Sequence, residues 1–209
     1  NPLANISSRA QTLLQQESDP ERRRQLATIE AQAYRAYEMI ADMMLFAKAP
    51  QPNCTVCDPA VLAREVVSEL QAAARAQETE LLVESADVDG RAWCDRVQIE
   101  TALRALVQNA LEAVGRGGRV TVSAGRDERS WWWTVTDTGP GLSEKARRHL
   151  FDPFFSGREA GRGLGLGLSK VWAIARQHGG EVTVDAPAGR GVSIRLAIPV
   201  LEPQVQGEG

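Results

Sequence analysis

Asp137-Thr138-Gly139-Pro140-Gly141 and Gly161-Arg162-Gly163-Leu164-Gly165-Leu166-Gly167-Leu168 are the two stretches on which the reading of this chain turns. The first leaves a run of strand-forming residues, Trp131 to Thr136, and the second opens a helical pattern that ends at His178-Gly179-Gly180. Glycine lets a backbone approach a ligand closely and adopt angles closed to other residues. A helix that starts on such a loop points free amide hydrogens and its positive dipole end at whatever lies there, an arrangement suited to phosphate. Either cluster alone is a weak signal.

Other phosphate-binding loops can be tested against the same residues. A Walker loop needs Gly-Lys followed by Ser or Thr, whereas the order here is Leu168-Ser169-Lys170. A dinucleotide fingerprint sits between a strand and a helix, and Ser156-Gly157-Arg158-Glu159-Ala160 is no strand. The His-Arg-Asp and Asp-Phe-Gly signatures of eukaryote-type protein kinases are missing. The clusters belong to another nucleotide fold.

Working outward, Asp58-Pro59 starts a helix predicted to run to about Gln77, and Leu81-Leu82-Val83 and Ala92-Trp93-Cys94 read as short strands. Ile99, Leu103, Leu106, Val107, Ala110, Leu111 and Val114 mark the apolar face of a further helix, ended by Gly115 to Gly118. Arg119 to Ala124 and Trp131 to Thr136 read as two strands. Successive strand residues point to opposite faces, so at least one of Trp131, Trp132 and Trp133 is expected to face away from the core. Ser143 to Leu150 looks helical, and Glu181 to Asp185 and Val192 to Ile198 complete an α+β sandwich, a mixed sheet with helices on one face.

Upstream the pattern changes. Leu3, Ile6, Ala10 and Leu13 recur at steps of three and four, as do Leu26, Ile29, Ala33, Ala36, Ile40, Met43 and Ala47. Between the two stretches, Ser18 or Asp19 can cap a helix and Pro20 suits its first turn. This predicts an antiparallel helical hairpin whose narrow seam cannot bury enough surface alone, so a homodimeric four-helix bundle is expected. Ala49-Pro50-Gln51-Pro52-Asn53 breaks the second helix. The expected organisation is a hairpin over 1–49, a linker over 50–58, an α+β domain over 59–201 and a polar tail over 202–209.

A formal charge of −3 and a pI near 5.6 give no broad basic footprint, so no nucleic-acid partner is expected. No run of eighteen apolar residues occurs, and no membrane contact by this stretch is expected. Cys54 and Cys57 have the spacing of metal or redox pairs, but Cys94, His149 and His178 stand far off in sequence with no matching spacing. Reduced thiols in a cytoplasmic protein are expected. His149 and His178 read as bystanders, the second as a cation complementing a helix C-terminus.

The chain resembles the GHKL superfamily, whose ATP site is built from an asparagine-bearing helix, an Asp-x-Gly-x-Gly turn, an aromatic box and a glycine-rich lid. Leu106-Val107-Gln108-Asn109-Ala110-Leu111-Glu112-Ala113 resembles the first, Asp137 to Gly141 the second, Phe151-Asp152-Pro153-Phe154-Phe155 the third and Gly163 to Leu168 the fourth. The resemblance covers about residues 60 to 200 and implies a Bergerat-type sandwich binding ATP and Mg²⁺. It implies that Asn109 ligates the metal and that Asp137 accepts a hydrogen bond from the adenine amino group, selecting adenine over guanine. It further implies that Ala113, Gly139, Gly141, Leu142, Phe155, Gly163, Leu164, Gly165, Leu166 and Gly167 line the nucleotide, and that 152–163 form a lid. Arg158 and Arg162 are the lid's cations, set either to touch the γ-phosphate or to stand solvated.

Hydrolytic members, of the gyrase, Hsp90 and MutL types, carry a glutamate base four residues before the asparagine. Here that position is Ala105, which also departs from the asparagine of many histidine kinases. Transfer to a protein is therefore expected rather than hydrolysis. Asn1-Pro2-Leu3 resembles the end of the His-Glu-x-x-Asn-Pro-Leu signature of sensor histidine kinases, which implies a phosphoacceptor histidine four residues before Asn1, a possible phosphatase role for Asn1, and a response-regulator receiver domain as partner. The expected function is the catalytic core of a two-component sensor histidine kinase, with membrane anchoring of its intact form through upstream segments left open. Two alternatives stay open: a GHKL protein-serine kinase, and a non-catalytic adaptor built on the same fold.

Overall fold

A computed structural model describes residues 2–47, 51–85, 90–153, 155, 165–187 and 189–200. The chain divides into two compact units, Asn1–Pro50 and Gln51–Gly209.

The first unit is two packed helices, α1 (Pro2–Gln16) and α2 (Pro20–Ala47). The turn between them is held by side chains. Asp19 Oδ1 accepts from the amides of Glu21 and Arg22 at 3.0 and 2.9 Å, capping α2. Arg23 donates to the carbonyls of Leu14 and Glu17 at 2.8 and 2.9 Å, closing the end of α1. Among the described seam residues Ala10 and Ala33 are buried, while Ile6, Leu13, Ile29 and Ile40 are each about half exposed.

The second unit runs β1 (Thr55–Cys57), α3 (Pro59–Ala76), β2 (Glu80–Ser85), β3 (Ala92–Cys94), α4 (Arg96–Val114), β4 (Arg119–Arg126), β5 (Ser130–Asp137), α5 (Glu144–His149), α6 (Gly167–Gln177), β6 (Glu181–Asp185) and β7 (Val192–Pro199). Five strands form a sheet in the order β2-β4-β5-β7-β6, parallel between β2 and β4 and antiparallel elsewhere. The parallel pair needs a crossover, which α4 supplies. Helices α3, α4 and α6 pack against the sheet, with α4 in contact with both others. Trp131, Trp133, Leu62, Ile99, Leu103, Leu106, Ile174, Leu196 and Ile198 are fully enclosed between the layers. Each such side chain contributes roughly 1.5–3 kcal/mol by leaving water.

The three tryptophans divide between the faces. Trp131 and Trp133 are inward, and Trp133 Nε1 donates to the carbonyl of Pro59 at 3.0 Å. Trp132 faces the other way, flat over Gly125 and covered by the Arg195 guanidinium at 4.6 Å, which Asp127 holds in place at 2.6 Å.

Three features differ from the sequence-based expectation. The stretch 50–58 is not simply a linker, because β1 pairs antiparallel with β3 in a separate two-stranded ribbon. Asp95 ties this entry together: its Oδ2 accepts from the Asn53 amide at 2.9 Å, and its Oδ1 caps α4 through the Gln98 amide at 3.0 Å. Its own amide donates to His178 Nε2 at 3.1 Å. Buried His178 also bonds the Ile174 carbonyl through Nδ1 at 2.9 Å, so it is the neutral Nδ1–H tautomer rather than the expected cation. Finally, Cys94 is beside Cys57, whose Sγ is 3.7 Å from the Cys94 carbonyl. Burial, and then Cys57, pushes the Cys94 thiol far above its ordinary range. All three cysteines are free thiols.

Glutamates of α3 and β2 pair with arginines of α4 and β4. Glu65 meets Arg96, Glu80 meets Arg119, and Arg104 donates from Nε and Nη2 to the two carboxylate oxygens of Glu69 at 2.8 and 2.7 Å. That bidentate hydrogen bond holds the Glu69 carboxyl below its ordinary 4.5. A depressed carboxylate stabilises the fold above its unfolded pKa, and the contribution disappears as pH falls through the folded value. Glu69→Gln should therefore cost at most about 1 kcal/mol at pH 7, the pair being half exposed, and progressively less as the medium is acidified through the depressed folded value. Urea unfolding of both proteins across an acid pH series checks this. His178→Ala orphans the Asp95 amide and should cost about 1–3 kcal/mol by the same measurement.

Candidate functional site

Strand alternation sets Trp131, Trp133, Val135 and Asp137 on one face of β5, so the Asp137 carboxylate stands where a further core residue would be and is 5% exposed. Such burial is tolerable only with hydrogen bonds to the charge. Oδ1 accepts from the Gly139 amide at 2.7 Å in an Asx turn. Thr138 anchors the same turn to β4, its hydroxyl oxygen accepting from the Arg119 amide at 3.0 Å.

The turn is enclosed on two sides by backbone. A Cβ on Gly139 would stand 3.1 Å from the Ala113 carbonyl, so the turn lies against the last turn of α4. Gly141 has φ +80°, and a Cβ there would be 3.2 Å from the Pro187 carbonyl and 3.3 Å from the Gly189 amide nitrogen. Gly191, also at φ +80°, approaches most closely: its Cβ would lie 1.9 Å from the Asp137 carbonyl oxygen. The β6–β7 turn thus buttresses Asp137 from behind. Sequence reading missed it, because Gly189-Arg190-Gly191 between two strands carries only the signal of an ordinary turn.

On α4, Ala105, Asn109 and Ala113 recur every four residues and share one face. All three are half-buried, and Ala105 packs on the core's edge. The structure therefore brings Asn109 and Ala113 to the same end of the unit as Asp137 and Gly139. Leu142 also packs against the core. Gly165 takes φ +67°, Leu166 is buried, and α6 starts at Gly167 with no side-chain cap on its first-turn amides. Ser169 Oγ donates to the Leu166 carbonyl at 2.9 Å, fixing this start beside α4. Phe155 is half-buried beyond α5. Asn1, Phe154, Arg158, Arg162, Gly163 and Leu164 lie outside the described residues. Among the described residues no group of three acidic, histidine or cysteine side chains could hold a metal, and no helix is long and apolar enough to cross a membrane.

A buried carboxylate at a strand end, a turn kept open by glycines and an uncapped helix N-terminus make up a nucleotide-binding α+β sandwich. Residues 94–202 match the family of histidine kinase-, DNA gyrase B- and HSP90-like ATPases, and the chain belongs to it. Similar curated proteins include sensor histidine kinases. Sensor histidine kinase RppB of Synechocystis is 27% identical over 96% of this chain and 46% of its own length. Sensor-like histidine kinase SenX3 of Mycobacterium tuberculosis is 30% identical over 96% of this chain and 51% of its own length. The chain thus spans about half of these relatives. The catalytic domain of histidine kinase ThkA superposes with TM-score 0.65 at 30% identity, over 71% of this chain and 96% of that domain. ThkA in complex with the response regulator TrrA gives 0.72 at 25% identity, over 96% of this chain and 58% of that one.

Gly191→Ala puts a methyl group into the Asp137 carbonyl and should lower stability by about 1–3 kcal/mol while weakening adenine-nucleotide binding at least tenfold. Gly189→Ala, at φ +72° but with open space around its Cβ, should cost about 1 kcal/mol of backbone strain and leave binding intact. Urea unfolding and calorimetric titration of both variants make the comparison.

Proposed function

We propose that this chain is the catalytic core of a two-component sensor histidine kinase that binds Mg·ATP, passes the γ-phosphoryl group to a histidine, and thence serves an aspartate of a response regulator. The observation carrying this is the buried, backbone-held Asp137 at the end of β5. Its carboxylate can only accept, so it suits the adenine amino group and disfavours guanine, which presents an oxygen there. Gly139 and Gly141 keep the approach free of side chains, and Ala113, Leu142, Phe155, Gly165, Leu166 and Gly167 are proposed to line the nucleotide.

Asn109 offers one carboxamide oxygen on the same α4 face, a hard ligand of the kind Mg²⁺ accepts while keeping most of its waters. Bound there, the ion would neutralise charge on the phosphates. Ala105, one turn earlier, contributes a methyl group where a hydrolytic enzyme would need a proton acceptor, which favours transfer over release of phosphate. The complex of ThkA with TrrA supports a receiver domain as partner. Arg158 and Arg162 are proposed as γ-phosphate contacts and Asn1 as an aid to dephosphorylation. Residues 1–49 are proposed as the dimerisation hairpin and 59–201 as the ATP-binding domain, with β1 and the Asn53–Asp95 bond supporting its extension back to 51. A cytoplasmic setting follows from the need for ATP.

The exposed seam of Ile6, Leu13, Ile29 and Ile40 supports a homodimer, since a second copy would cover it. Light scattering at micromolar concentration should give twice the chain mass, and Ile6→Asp with Ile29→Asp should give the monomer. For the nucleotide site, calorimetric titration with a non-hydrolysable ATP analogue and Mg²⁺ should show binding by the wild type. Asp137→Asn should bind at least about thirtyfold more weakly, since an unmatched amide replaces the acceptor at a buried position. Asn109→Ala should lose the magnesium dependence. A wild type that binds no adenine nucleotide sinks the proposal.

A further inference from the structure

His149, the last residue of α5, belongs to none of the motifs that define the family, yet it is tied twice to the aromatic box that follows it. Its Nδ1 is 2.7 Å from Asp152 Oδ2, and its ring meets the Phe155 ring at a centroid distance of 5.5 Å and a tilt of 39°. The backbone repeats the connection, because the Asp152 amide donates to the His149 carbonyl at 3.0 Å and the Phe155 amide to the Asp152 carbonyl at 3.2 Å. The two backbone bonds therefore follow one another, and the imidazole lies beside both through Asp152 and Phe155. The α5 helix itself is anchored at its other end, where Ser143 Oγ accepts from the Ala146 amide at 3.1 Å.

We propose that His149 is a positioning residue for the nucleotide site: its imidazole holds Phe155 in place through the ring contact and through Asp152. This rests on the nucleotide-binding role proposed above for Phe155. The two contacts do different things. The hydrogen bond to Asp152 is solvent-exposed on both sides, with side chains 49% and 61% accessible, so it orients more than it stabilises. The ring contact, at 5.5 Å between centroids and a 39° tilt, lies within the distance range of interacting aromatic pairs, intermediate between offset-stacked and edge-to-face, and it limits where the Phe155 side chain can swing. Neither contact reaches the core, so the fold does not require them. An imidazole at the exposed end of a six-residue helix is otherwise unexplained by packing.

The test is the affinity of the full chain for a fluorescent trinitrophenyl-ATP with Mg²⁺, measured beside thermal unfolding of the same samples. His149→Ala should weaken binding about fivefold while shifting Tm by less than about 2 °C, a surface-sized effect on stability. His149→Phe, which keeps a ring against Phe155, should recover affinity to within about twofold of wild type. Asp152→Asn, which keeps a weaker hydrogen-bond partner, should fall between them. Wild-type affinity in His149→Ala overturns the proposal, as does a His149→Phe variant no better than alanine. Absence of binding by the wild type would instead overturn the nucleotide reading on which it rests.

Discussion

The interaction on which the rest of this structure depends is the hydrogen bond from the Gly139 amide to a carboxylate buried at the end of β5. A buried carboxylate is a cost that any fold has to offset, and here the Gly139 amide contributes to the offset. A backbone donor two residues on is available only if the chain turns at once, which requires the tight Asp-Thr-Gly-Pro-Gly geometry. The turn in turn requires room, which the missing side chains at Gly139, Gly141 and Gly191 supply. One polar group thus dictates glycine at three positions drawn from two different loops. The surrounding layers hold this arrangement rigid: α4 behind the turn, β4 through Thr138, and the β6–β7 turn beneath.

The parts of this that were legible in the sequence are those with a local signature. Helices with an apolar face at i, i+3 and i+4, strands of alternating pattern, and glycine turns at strand ends all carry their information within a few residues. The start of α6 was found that way, Asp137 and Asn109 were singled out by the resemblance of their motifs to the GHKL boxes, and the pleat alone required at least one of the three tryptophans to face outward. What escaped was information held by partners. Three residues at Thr55–Cys57, preceded by two prolines, have no strand signature until Ala92–Cys94 lies beside them. Cys94 and Cys57 are remote in sequence and adjacent in space for the same reason. His178 looked like a helix-end cation because nothing local reveals that Asp95, across the unit, offers it an amide proton. Gly191 looked like any turn glycine, since its reason for being glycine is a carbonyl more than fifty residues earlier in the chain.

The position before Asn109 on the same helical face bears on what such a site can do. Ala105 is half-buried against the edge of the core, so its methyl group contributes packing where a carboxylate would have to be desolvated. On the reading proposed above, such a face would hold a nucleotide with no proton acceptor at position 105 to activate water against it. Phosphoryl transfer from such a site waits on a nucleophile carried in by another element, and rate then depends on how often that element arrives rather than on the chemistry of the pocket. On the reading proposed above, with the acceptor supplied by another element, holding the nucleotide in one orientation is what the backbone-held Asp137 and the glycine turns around it would contribute.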